Sequence, residues 1–136
     1  MKAKKKFGQN FLIDRYFISK IINEINPKEG NIILEIGPGK GAITEPVLKK
    51  INHISVIEID PDMIKILSNK INPQHISILA EDVLSINNDF FKGFNKIIGN
   101  LPYYIATEII LKLTKIFSSS FELYFMVQKE VAERIT

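Results

Sequence analysis

The sequence predicts an α/β domain built on a parallel sheet with helices on both faces. Three observations carry this. Short apolar runs recur as strands without polar alternation, as in NIILEI (31–36), ISILA (76–80) and NKIIGN (95–100). A strand buried on both faces has no solvent side to mark. Segments with helical spacing of apolar residues separate these runs, which is the order of a βαβ chain. A glycine-rich turn, GPGKGAIT, follows the first run, where such sheets open toward a ligand.

The elements follow in order. Asp14 is placed to cap a helix over about 15–26, with Ile18, Ile21, Ile22 and Ile25 on one face, closed by Pro27 and Gly30. NIILEI is the first strand, and EPVLKKI continues from the glycine turn as a helix. HISVIEID (53–60) is the second strand. PDMIKILSNKI is a helix with Pro61 in its first turn and Met63, Ile64, Leu67 and Ile71 inward. ISILA and NKIIGN are strands three and four. ATEIILKLTKIF (106–117) is an amphipathic helix, FELYFMVQ (121–128) a fifth strand, and KEVAERIT opens another helix.

Composition narrows the class. Hydrophobic residues make up 46% and charged residues 24%, which suits one globular domain with a core. There is no cysteine, so disulfides and thiolate metal sites are excluded. No apolar run reaches the roughly 18 residues of a membrane span, and the expectation is a cytoplasmic protein. Residues 1–14 hold Lys2, Lys4, Lys5 and Lys6 against Asp14 alone, which accounts for the whole net charge of +3. Such a segment reads either as a solvated terminus or as an arm contacting phosphates.

Ligands of parallel sheets bind beyond the carboxyl ends of the strands. After strand one stands Glu35-Ile-Gly37-Pro-Gly39-Lys-Gly41. Gly37, Gly39 and Ala42 satisfy the dinucleotide pattern G-x-G-x-x-G/A, as a nicotinamide oxidoreductase would. Gly37, Gly39 and Gly41 preceded by Glu35 equally resemble the loop of class I methyltransferases. After strand two, Glu58 can accept hydrogen bonds from both ribose hydroxyls of an adenosine ligand, which either cofactor has. Asp60 and Asp62 read as the capping and first-turn acids of the next helix. After strand three, Asp82 of the Glu81-Asp82 pair suits an adenine amino group.

After strand four comes Asn100-Leu101-Pro102-Tyr103. An exocyclic amine is a poor nucleophile because its lone pair is delocalised into the ring. Two acceptors on its hydrogens favour a more tetrahedral nitrogen and aim the lone pair. The Asn100 side-chain oxygen is one acceptor. The Leu101 carbonyl is the second, since Pro102 biases Leu101 toward an extended backbone. Tyr103 offers a face for a stacked base. Tyr104 fits that loop or the core equally well.

The segments KKKFGQNFL (4–12), LEIGPGKGAIT (34–44), VIEIDPDM (56–63), AEDVL (80–84), GNLPYYIAT (99–107) and MVQKEVAERI (126–135) resemble the KsgA family of ribosomal small-subunit RNA adenine dimethyltransferases. The resemblance implies a class I, Rossmann-like fold that uses S-adenosylmethionine and no metal. It implies transfer of methyl groups to the 6-amino groups of two adjacent adenosines near the 3′ end of 16S rRNA, with a 30S-type particle as partner. Asn10 and Leu12 would lie over the methyl donor, with Gln9 positioning that arm. Gly37 would contact the donor, Glu58 hold its ribose and Asp82 its adenine. Asn100 would stand where donor and amine meet, with Leu101, Pro102 and Tyr103 around the base.

The Erm-type 23S rRNA methyltransferases share the QNF start and the N-I/L-P-Y segment, and are the alternative, together with a non-catalytic RNA-binding module. The family's fold has about seven strands, of which five can be placed. The expectation is therefore a basic arm and cofactor lid over 1–14 and an incomplete methyltransferase domain over 15–136. The later strands and a helical domain would be absent, and strand five would be left as an edge.

Overall fold

The computed structural model describes residues 15–116 and 121–127. Helix α1 spans Arg15–Ile25, β1 Ile33–Ile36, α2 Thr44–Leu48, β2 Ile54–Ile57 and α3 Pro61–Lys70. Strand β3 spans Ile76–Leu79, α4 Asn88–Phe91, β4 Lys96–Leu101, α5 Tyr103–Leu113 and β5 Glu122–Val127. Short 3-10 turns occupy Pro73–His75 and Val83–Ser85. Within the described residues every strand pairing is parallel, in the order β3-β2-β1-β4-β5. The chain winds outward from β1 to β3, then returns to place β4 on the other side of β1. That reversal opens a crevice at the carboxyl ends of β1 and β4.

Both faces of the sheet are buried, which explains the unbroken apolar runs. Along β1, Ile33 joins one core cluster and Leu34 and Ile36 the other. Along β4, Ile97 and Ile98 divide the same way. The first cluster takes in Ile22 and Ile25 of α1, Val47 of α2 and Leu67 of α3. The second takes in Phe91 of α4 and Ile109 and Leu113 of α5. Burying a large aliphatic side chain stabilises by about 1.5–3 kcal/mol, so the two layers together hold the sheet between helices.

Several local features meet expectation. The Asp60 side chain accepts the Asp62 N–H at 2.9 Å, and Pro61 opens α3. Ile18 and Ile21 pack against the buried Ile22 and Ile25. Other features differ. The helix after strand four begins at Tyr103 rather than 106, because Pro102 serves as its N-cap and its carbonyl already accepts the Ala106 N–H at 3.0 Å. Helix α2 ends at Leu48, short of the EPVLKKI reading. The segment 88–91 forms a helical turn that the sequence reading did not place.

The end of α1 is closed by two groups that the sequence reading passed over. Asn26 adopts φ +49, the left-handed conformation that ends helices. The Lys96 ammonium, 9% exposed, donates to the carbonyl of Ile25 and, at 3.0 Å, to that of Asn26. A cation at the negative end of the helix satisfies its last carbonyls and couples α1 to the first residue of β4. Asp14, the 1–14 arm and the helix expected after residue 128 lie outside the described residues. Strand β5 stands at one edge of the sheet formed by the described residues.

Candidate active site

The site is built from the carboxyl end of β1 outward. Leu34 and Ile36 face one core layer, so Glu35 faces the other and is fully buried. Its Oε1 accepts the hydroxyl of Thr44, the first residue of α2. The Glu35 carboxyl is raised from 4.5 to about 7, chiefly by burial; the Thr44 hydrogen bond opposes the rise and the nearby Glu58 adds to it. Glu35 was not assigned a role from sequence, although its place before the glycines was the available signal.

The turn after β1 needs glycine. Gly37 and Gly39 have φ of +68 and +58. A Cβ on Gly37 would also lie 3.3 Å from the Leu101 side chain. The Gly37 N–H donates to the Ile57 carbonyl at 2.9 Å, tying the turn to the end of β2.

Glu58 follows directly. It is 8% exposed, and its two oxygens accept the N–H groups of Gly39 and Asp60, each at 3.1 Å. The carboxylate expected to meet a ribose is therefore also the clasp of the glycine turn. That second task was invisible in the sequence, because nothing local links residue 58 to residue 39.

Beyond β3, exposed Asp82 caps the Val83–Ser85 turn, its Oδ1 accepting the Leu84 N–H at 3.0 Å. At the end of β4, Gly99 pairs in register with Ile36. A Cβ there would stand 3.0 Å from the Leu101 side chain and 3.1 Å from the Ile36 carbonyl oxygen. The bare Gly99 backbone lets the Leu101 side chain pack back against the end of β1, a contact that sequence reasoning missed. Leu101 is the last, extended residue of β4 and is buried.

Asn100 is half-buried, and its Oδ1 is fully enclosed without a hydrogen-bond partner among the described residues. Buried acceptors are normally satisfied, and an unpaired one costs roughly 1–3 kcal/mol. An N–H donor from a ligand would relieve it.

Gly37, Glu58, Asp82, Leu101 and Pro102 line a single cleft, together with Ile59 and Tyr104. The structure thus gathers these five sequence-selected residues from the ends of β1, β2, β3 and β4. Tyr103 is 44% exposed at the start of α5. Tyr104 is 68% exposed, which decides its open reading against core packing. Asn10, Leu12 and Gln9 lie outside the described residues. A wider groove between α1 and β5, lined by Lys20, Glu24, Tyr124 and Met126, lies away from the glycine turn. Among the described residues no three His, Cys, Asp or Glu side chains are grouped to hold a metal. No described helix is long and apolar enough to cross a membrane.

A family model described as ribosomal RNA adenine dimethylase matches residues 1–136. The chain belongs to that family. The ribosomal RNA small subunit methyltransferase A of Neisseria meningitidis is 43% identical over 134 residues, covering 98% of this chain and 52% of its own. The chain spans about half the length of the curated relatives it matches. A dimethyladenosine transferase from Plasmodium falciparum superposes with a TM-score of 0.67 at 31% identity, over 87% of this chain and 43% of that one. The 23S rRNA methyltransferase ErmE superposes with a TM-score of 0.68 at 23% identity, over 88% and 48%, which speaks for the shared fold alone.

The chain therefore has the class I S-adenosylmethionine-dependent methyltransferase fold. Membership overturns the dinucleotide-oxidoreductase reading of Gly37, Gly39 and Ala42. The residues fit an adenosine-bearing sulfonium ligand: a turn whose Gly37 and Gly39 leave the backbone bare, a buried carboxylate on Glu58 and, at the end of β4, an enclosed acceptor on Asn100.

Proposed function

We propose that this chain carries the donor-binding part of an enzyme that dimethylates two adjacent adenosines near the 3′ end of small-subunit rRNA. S-adenosylmethionine, when bound, supplies a methyl group already activated on sulfur. The observation that carries the reading is the enclosed, unpartnered Oδ1 of Asn100 at the end of β4. It is an acceptor kept for a ligand N–H, at the switch point where such sheets bind ligands.

Asn100 Oδ1 and the Leu101 carbonyl accept the two hydrogens of the adenine amine and aim its lone pair. Pro102 holds Leu101 extended, in keeping with its place as the last residue of β4. Tyr103 supplies a stacking face for the target base, which must be turned out of any duplex to reach it. No strong general base is required, because the nitrogen loses its proton only after the carbon–nitrogen bond forms. Glu58 receives the donor's ribose, Asp82 its adenine amine, and Gly37 lets the backbone approach it. Asn10 and Leu12 cover the donor, and the lysines of the 1–14 arm contact rRNA phosphates. The small-subunit names of the curated relatives favour this substrate over the Erm-type one. The working compartment is then the cytoplasm, where the 30S-type particle is assembled.

The test is incorporation of labelled methyl from S-adenosylmethionine into unmethylated small subunits by the full-length protein. Label recovered as N6,N6-dimethyladenosine in small-subunit rRNA is the expected result. Label entering 23S rRNA would mark an Erm-type enzyme. Donor binding without transfer to any RNA would mark a non-catalytic RNA-binding module.

A further inference from the structure

The two adjacent tyrosines of α5 cannot do the same work. They hold its first two positions, and successive residues of a helix point about 100° apart. Tyr104 lines the cleft with Gly37, Glu58 and Asp82, and Tyr103 is not among its lining residues. Tyr104 and Ile59, at 68% and 64% exposure, are two of the large apolar side chains left most in water. Both stand on this cleft, one following β2 and the other following β4, with β1 between those strands. Two exposed apolar groups bracketing a cleft gain most when a flat apolar surface enters between them. Asp82, on the same cleft, supplies a carboxylate for an amino group on that surface's edge.

We propose that Tyr104 is the aromatic wall of the donor's nucleobase pocket, its ring packing on the adenine that Asp82 holds by the edge. The inference rests on the donor reading above and divides the pair: Tyr104 serves the donor base and Tyr103 the target base. Tyr104 makes this contact through its ring, so its hydroxyl is dispensable. Its exposure also means that truncating it removes no core packing.

The experiment is calorimetric titration of the full-length protein and its Y104A, Y104F and Y103A variants. The ligands are S-adenosylhomocysteine and 5′-methylthioadenosine, which share adenine and ribose and differ in the amino-acid tail. Y104A is expected to weaken both by the same factor, roughly tenfold, the scale of one lost base–aromatic stack, with an unchanged melting temperature. Y104F should bind like the parent, and Y103A should leave both affinities within about twofold while depressing rRNA methylation. Unchanged binding by Y104A, or a loss confined to Y103A, overturns the assignment while the donor reading stands. Failure of the parent protein to bind either ligand overturns the donor reading and this assignment with it.

Discussion

At the ends of β1 and β2 the polar groups are spent on one another. Glu58 takes the N–H groups of Gly39 and Asp60, Glu35 takes the Thr44 hydroxyl, and Gly37 donates to Ile57. At the end of β4 they are held back. The Asn100 oxygen is enclosed without a partner among the described residues, and Tyr103 is 44% exposed. The first region is finished before any ligand arrives, so binding there costs little rearrangement. The second keeps a hydrogen-bond acceptor without a partner among the described residues. A donor platform needs the former; a reacting end, whose contacts must tighten as the bond forms, needs the latter.

The largest effect should come from the unfinished side. Asn100→Ala is expected to lower the methylation rate of the full-length enzyme by about 100- to 1,000-fold, the scale of one lost transition-state hydrogen-bonding group. Donor affinity should move only a few-fold, as read by titration with S-adenosylhomocysteine. Equal losses in both would erase the distinction between the two regions.

The finished side carries a cost that depends on pH. Unfolded Glu35 ionises around 4.5, while the folded group keeps its proton up to about 7. Folding therefore takes up a proton between those values, and stability falls as pH rises through that window. The loss is complete above pH 7 and amounts to about 3 kcal/mol at most. Glu35→Gln retains an oxygen for Thr44 and cannot ionise. Relative to the parent, it should gain up to about 3 kcal/mol between pH 4.5 and pH 8 in urea denaturation. Parallel stability curves for the two proteins would show that Glu35 does not titrate there.

The smallest effect falls on the clasp. Glu58→Ala should weaken donor binding by about 1.5–3 kcal/mol, the worth of hydrogen bonds to a charged group. The Gly39 and Asp60 amides should exchange their hydrogens faster in the variant, since both lose their acceptor. Weakened binding with unchanged exchange would leave Glu58 as a ribose contact alone, and the platform would be less finished than its hydrogen bonds indicate.

The parts legible in the sequence are those written by local pattern. The strands announced themselves as apolar runs because both sheet faces are covered. The glycine turn, Glu58, Asp82 and Asn100-Leu101-Pro102-Tyr103 were singled out because parallel sheets place ligands after their strands. The misses are long-range. Gly99 looked like an ordinary strand residue until the Ile36 carbonyl and the Leu101 side chain were beside it. Lys96 drew no reading of its own from the sequence, yet it closes a helix 70 residues earlier in the chain. Tyr104 stayed open between loop and core because periodicity across a proline-started helix cannot say which ring faces a cleft.

By itself, then, the sequence determined the order of elements, the parallel sheet and the family, and it marked candidate site residues at the strand ends. These follow from spacings within a few residues and from motifs contiguous in the chain. Only the tertiary structure decided what those residues are bonded to: that Glu58 is already engaged, that Glu35 is sealed under the glycine turn, and that the Asn100 oxygen is left unpaired. Burial and hydrogen-bond satisfaction are properties of contacts between distant segments, and they come into being only when the sheet closes.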